Sequence, residues 1–243
     1  MHYTGKFIVL DGTEGSGKST VIDFWKKHLE EQGKKIFDLK AYWKQYDKQP
    51  PAEEVLAADI IFSAEMTYTG IGKVLREELI AKGTDYPSLA IAEAYALDRM
   101  ILYKKFFAPA LAAGKTIISD RSISTSLVYQ TISDPTITYE IIRTLPGNAV
   151  ALAHPPTDLI LFEIDPEKGL ARLASRLDKN DNAIFEEVDF QKKAYAKFMG
   201  SEFQNIFKDL GTTIHYLSAG TDLATITQAS TELLEKILAR QSI

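Results

Sequence analysis

Residues 12–19 read G-T-E-G-S-G-K-S, a full match to the phosphate-binding pattern G-x-x-x-x-G-K-[S/T]. The flanks agree with it. Lys6 to Leu10 is a short apolar run of strand type, and Ser19 to Gln32 carries Val21, Ile22, Phe24, Trp25 and Leu29 at helical spacing. A strand, a glycine-rich turn and a helix start commit the chain to an α/β fold in which the turn cradles phosphate. The glycines let consecutive N–H groups converge on phosphate oxygens, and the helix N-terminus adds partial positive charge. The stretch Gly12, Thr13, Glu14, Gly15, Ser16, Gly17, Lys18, Ser19 and Thr20 is therefore the expected nucleoside-triphosphate site. Lys18 would reach the β- and γ-phosphates and the Ser19 hydroxyl would ligate Mg2+.

Short β-rich runs alternate with longer helical stretches through the rest of the chain. That alternation predicts a P-loop NTPase fold, a central parallel β-sheet flanked by helices on both faces. Strands are expected at Lys6–Leu10, Lys35–Leu39, Thr116–Ser119, Asp158–Ile164 and Thr213–Leu217. Helices are expected at Ser19–Gln32, Ile71–Ala81, Ser88–Ala113, Ser124–Thr131, Thr138–Thr144, Pro166–Leu177, Val188–Leu210 and Asp222–Arg240. The 243 residues suit a single domain over 1–243. Residues 41–63 begin aromatic and basic (Tyr42, Trp43, Lys44, Tyr46, Lys48) and contain Pro50-Pro51, which reads as a solvated insertion packing its aromatics on the domain. Asp178 to Ala183, D-K-N-D-N-A, is a polar turn-forming cluster that suits a flap or lid over about 172–187, although by composition a plain surface loop fits equally well.

Composition excludes several functions. A net charge of −5 argues against general nucleic-acid binding, which demands basic surface. The absence of cysteine rules out disulfides and thiolate metal sites and is compatible with the cytoplasm. No apolar run reaches membrane-spanning length, and the first residues lack the apolar core of a signal peptide. His2, His28, His154 and His215 are scattered without metal-ligand spacing.

A second site is marked by other residues. Asp120-Arg121 follow the strand T-I-I-S, at a carboxyl end where ligands bind in open α/β sheets. Asp120 would serve Mg2+ and Arg121 an anionic acceptor, although a surface ion pair is the plain alternative. Thr125, Ser126, Tyr129 and Gln130 then form a substrate wall. Tyr95 and Arg99, four apart, share a helix face and suit a flat base, whereas a core tyrosine beside a surface arginine is the plain alternative. Arg172 and Arg176 repeat that spacing before the flap, and taken alone an ordinary solvated helix face is the favoured reading of them. Phosphoryl transfer needs cations beyond Mg2+, however, and the phosphate loop itself supplies only Lys18.

With these motifs quoted, the chain resembles the thymidylate kinases. Phe7–Thr20 resembles that family's N-terminal signature, and A-Y-A-L-D-R at 94–99 is similar to its base-binding helix. The resemblance implies that Tyr95 stacks on thymine and Arg99 contacts it. Ile118–Gln130 resembles the family's D-R-[YH]-x-x-S-x-x-A-Y-Q stretch, implying Arg121 on the acceptor phosphate and Ser126, Tyr129 and Gln130 near the nucleoside. Asp158–Arg176 is similar to the bacterial lid entry, implying catalytic roles for Arg172 and Arg176, and Glu14 corresponds to a carboxylate near the acceptor sugar. The resemblance further implies Mg2+, ATP as donor, dTMP as acceptor and a homodimer. One family arginine after the second strand has two possible counterparts: Lys40, or Ser63-Ala64-Glu65, where no basic residue stands. Another deoxynucleoside monophosphate, a nucleoside acceptor, or an inactive nucleotide-binding regulator are the alternative readings.

Overall fold

Two apolar sets alternate along β1 (Lys6–Gly12) and decide the architecture: Phe7 and Val9 pack into one buried cluster, Ile8 and Leu10 into the other. Side chains of a strand point to opposite faces in turn, so a strand apolar on both sets is covered on both sides. The computed structural model describes residues 4–175, 185 and 187–240. The other strands are β2 (Ile36–Asp38), β3 (Ile60–Ala64), β4 (Thr116–Asp120), β5 (Asp158–Glu163) and β6 (Thr213–Ser218). They form one six-stranded sheet in the order β2-β3-β4-β1-β5-β6, with every pairing parallel.

The helices are α1 (Lys18–Glu31), α2 (Leu39–Tyr46), α3 (Ala52–Leu56), α4 (Ile71–Val74), α5 (Ser88–Leu102), α6 (Ala108–Ala112) and α7 (Ile123–Ser133). Then come α8 (Tyr139–Thr144), α9 (Pro146–Leu152), α10 (Pro166–Ala174), α11 (Val188–Met199), α12 (Ser201–Asp209) and α13 (Leu223–Ala239). π-Helical turns extend α4 (Leu75–Leu79) and join α5 to α6 (Tyr103–Phe107). α1 and α13 lie over the Ile8/Leu10 face, through Trp25, Leu29, Leu234 and Ile237. α5, α7 and α11 cover the other, through Leu102, Leu127 and Phe198.

All five expected strands form, each within two residues of its expected limits. The expected helix over 188–210 is two helices, because Gly200 turns extended (φ −73°, ψ 141°) between α11 and α12. The stretch 41–63 differs more. Its last four residues, Ile60–Ser63, are not insertion but most of β3, an inner strand paired with both β2 and β4. Ile60, Ile61, Phe62 and Ser63 are all nearly or wholly buried, and so are Trp43 and Val55 ahead of them. Tyr46 is half exposed, so only part of this segment is solvated. Three apolar residues after an irregular, proline-containing stretch carry too little alternation to read as a strand; long-range pairing makes them one.

Candidate active site

The turn between β1 and α1 closes around the Lys18 ammonium. Nζ donates to the carbonyls of Gly12 (3.3 Å) and Thr13 (2.8 Å) and to Ser16 Oγ (3.0 Å). Burial strips this ammonium of water and, with Arg121 nearby, lowers its pKa to about 8; Glu14, Asp120 and Asp11 offset part of that shift. Gly15 adopts φ +67°, and a Cβ there would meet the Gly169 carbonyl oxygen at 1.9 Å. The loop is thus pressed against the start of α10, as only glycine permits.

At the head of α1, Ser19 Oγ lies 3.5 Å from Asp120 Oδ2, at the carboxyl end of β4. Lys40 Nζ, from the first turn of α2, reaches the same oxygen at 3.4 Å. Burial acts to raise the Asp120 pKa, but Lys40, Lys18 and Arg121 outweigh it and hold the carboxyl below its ordinary value. A hydroxyl and an ionised carboxylate beside a phosphate loop are the hard oxygen donors that suit Mg2+ when phosphate and water complete its shell. Among the described residues, no group of three or more His, Cys, Asp or Glu side chains is placed to hold a metal alone. The donors fit an ion that arrives with a triphosphate.

Arg121 bridges the loop and the neighbouring wall. Its backbone is left-handed (φ +73°), and its guanidinium turns back over β1. Nη1 lies 3.3 Å from Asp11 Oδ1, 3.2 Å from the Gly12 carbonyl and 3.3 Å from Thr125 Oγ1, while Nη2 donates to Glu14 Oε1 at 2.5 Å. Asp11 beneath it is wholly buried and also accepts from Ser124 Oγ, Thr125 Oγ1 and the Gly12 N–H. Burial pushes the Asp11 carboxyl up, with Arg121 the largest opposing influence.

α5 and α7 supply the facing wall. Arg99 is buried and makes three bonds: Nε to Glu65 at 2.6 Å, Nη2 to Ser126 Oγ at 2.9 Å, and Nη1 to Asn148 Oδ1. Gln130 Nε2 reaches Ser126 Oγ at 3.5 Å, and its Oε1 is buried without a partner among the described residues. The Tyr129 ring packs on Phe185 and Phe190, with the Arg121 guanidinium 5.4 Å from its centre. Burial raises the Tyr95 phenol to about 12, so it stays neutral. Tyr95, Arg99, Ser126, Tyr129 and Gln130 line one cavity of about 1020 Å3 together with Lys18, Ser19, Lys40, Asp120 and Arg121.

Arg172 stands elsewhere. Its Nη1 donates to the Ala219 carbonyl (2.7 Å) and its Nη2 to that of Thr221 (3.2 Å), on the connection from β6 to α13. There it lines a smaller pocket of about 280 Å3 with Thr20, Val21, Leu223 and Ile226, which shares Gly15–Gly17 with the main cavity. Arg176 and most of the expected lid, residues 176–184 and 186, lie outside the described residues.

Both candidate counterparts of the missing arginine are now located. Lys40 reaches Asp120, while Ser63 and Ala64 end β3 and Glu65, just beyond it, pairs with Arg99. Sequence reasoning overlooked Asp11 and Asn148 as site-shaping residues. Asp11 had a signal, since it directly precedes Gly12, whereas Asn148 had none.

The family model "Thymidylate kinase" matches residues 52–222. The thymidylate kinase of Caldicellulosiruptor saccharolyticus is 31% identical over 205 residues, covering 84% of this chain and 85% of that protein. That of Trichodesmium erythraeum is 32% identical over 75% of this chain and 77% of its own length. The thymidylate kinase of Lactobacillus delbrueckii subsp. bulgaricus is 26% identical over 95% of this chain and 96% of its own.

Proposed function

The chain belongs to the thymidylate kinase family, and on that premise we propose how its residues divide the work. The protein is a nucleoside monophosphate kinase that transfers the γ-phosphate of ATP to dTMP, giving ADP and dTDP. The observation that carries the reading is the single cavity in which Lys18 and its loop face Tyr95, Arg99 and Gln130, with Arg121 between them.

The loop N–H groups and Lys18 hold the β- and γ-phosphates. Ser19 and Asp120 hold Mg2+, which when bound neutralises charge on the phosphate oxygens. Arg121, oriented by Asp11 and Glu14, fixes the acceptor phosphate for in-line attack. That phosphate is itself an anionic nucleophile at neutral pH, so positioning and charge neutralisation replace a strong base. Tyr95 stacks on thymine, Arg99 and Gln130 address its edge with Ser126 between them, and Glu14 and Tyr129 lie toward the sugar. Lys40 stands in for the family arginine at the acceptor phosphate.

Arg172 belongs to the donor's base in this scheme. Its smaller pocket is walled by Val21, Leu223 and Ile226 and floored by the phosphate loop, which suits a purine continuous with the triphosphate. Arg176 is the arginine left for the transferring group, delivered as a lid over about 172–187 closes. The chain is proposed to act as one domain in the cytoplasm, as a homodimer. Leu97 and Ile101, one helical turn apart, give α5 an exposed apolar pair suited to a second copy.

A coupled assay of ADP release across dTMP, dUMP, dCMP, dGMP and thymidine tests the reading. dTMP should be the fastest substrate; faster turnover of thymidine or of another monophosphate refutes the acceptor assignment.

A further inference from the structure

Most cations lining the main cavity already face a carboxylate. Lys26 meets Asp38 at 2.5 Å, Lys40 meets Asp120 at 3.4 Å, Arg99 meets Glu65 at 2.6 Å, and Arg121 meets Glu14 at 2.5 Å. Among the described residues, Lys18, Lys44 and Arg76 line the cavity with no such partner. The donor triphosphate accounts for Lys18. The remaining two converge on one aromatic ring. Lys44 Nζ lies 4.8 Å from the centre of Tyr68 and the Arg76 guanidinium 3.8 Å, with Lys40 Nζ at 5.6 Å. Arg76 is fixed from behind, donating to the carbonyls of Met66 (2.7 Å) and Thr67 (3.2 Å). A ring that gathers cations stabilises them without neutralising their charge. The local excess remains available to an anion.

The origin of these cations matters. Ser63 and Ala64 at the end of β3, with Glu65 just beyond, offer the cavity no positive side chain. α2, which connects β2 to the β3 side of the cavity, brings Lys40 and Lys44 one helical turn apart, at i and i+4. Arg76 arrives from the π-helical turn after α4.

We propose that Lys44 and Arg76, gathered on Tyr68 beside Lys40, form an anion subsite that receives the acceptor's phosphate from the side opposite Arg121. The subsite rests on the thymidylate kinase reading and deepens it. It makes α2 the element that supplies the charge missing at the end of β3. Tyr68 is a positioning residue, and Lys44 and Arg76 are the groups that meet the phosphate.

Calorimetric titration of dTMP and of thymidine into wild type, Lys44→Ala, Tyr68→Leu and Tyr68→Phe tests this. Lys44 is exposed, so its truncation leaves the core intact. Lys44→Ala and Tyr68→Leu should each weaken dTMP binding by roughly tenfold, the size of one charge-assisted contact, and leave thymidine binding within about twofold. Tyr68→Phe should match wild type because the ring is retained. Unchanged dTMP affinity in both Lys44→Ala and Tyr68→Leu, or equal losses for dTMP and thymidine, overturns the subsite. Wild-type protein that turns over no dTMP instead overturns the parent reading, and the subsite with it.

Discussion

Arg99 and Glu65 form a 2.6 Å ion pair in which both side chains are only 3% exposed. The pair joins α5 to the end of β3, and the same guanidinium binds Ser126 on α7 and Asn148 on α9. One arginine therefore organises the acceptor wall from behind while taking part in it. Removing one member of a buried pair costs more than the pair contributes, because a desolvated charge is left behind.

Arg99→Ala should accordingly destabilise the protein by about 3–5 kcal/mol and weaken dTMP affinity more than ATP affinity. The penalty should depend on pH. Burial already raises the Glu65 pKa while Arg99 opposes it, so the variant's Glu65 pKa should rise further. A carboxyl raised in the folded state binds protons that the unfolded chain releases, which makes folding less stable as pH rises through that window. The stability gap between wild type and variant should thus shrink on going from pH 8 to pH 5. Denaturant titrations at both pH values check this, and a gap that widens in acid refutes it.

Lys18→Ala should abolish transfer while leaving the fold intact, as judged by circular dichroism. In the folded chain the Lys18 pKa is lowered to about 8, chiefly by burial, so the ammonium is partly neutral above that pH. Triphosphate binding favours the charged form. ATP affinity should therefore fall as pH rises from 8 toward 10, with proton uptake on binding. Calorimetry in two buffers of different ionisation enthalpy would detect that uptake, and its absence would contradict the role assigned to Lys18.

Asp11→Asn should lower kcat/KM by about tenfold, or about 1.4 kcal/mol of transition-state stabilisation, because Arg121 loses the carboxylate beneath it. The fall should sit in kcat rather than in the KM for ATP. A change confined to ATP binding would show that Asp11 serves the phosphate loop alone.

Arg172→Ala should raise the KM for ATP by roughly tenfold, the worth of a cation lost from a base-binding pocket, with kcat and the KM for dTMP nearly unchanged. A large loss in kcat would return Arg172 to the transferring phosphoryl group, the role expected from its spacing with Arg176.

Leu97→Glu places a charge within the exposed Leu97–Ile101 pair of α5. Sedimentation equilibrium should show a dimer in wild type and a monomer in the variant. A monomeric wild type would refute both the dimer and the role given to this face of α5.

Sequence alone determined the elements whose causes are local. The phosphate loop is a contiguous pattern, and five strands and most helices follow from apolar spacing. Spacing also placed Tyr95 and Arg99 on one face and Asp120-Arg121 at a strand end. The tertiary structure decided what depends on partners distant in sequence. β3 became an inner strand through pairing with β2 and β4. Arg99 found Glu65 34 residues away, and Lys40 found Asp120 80 residues away. Arg172 parted from the main cavity because its donors reach carbonyls beside α13. Burial and ion pairing act through space, so a local pattern can nominate a charged residue without saying which charge it will meet.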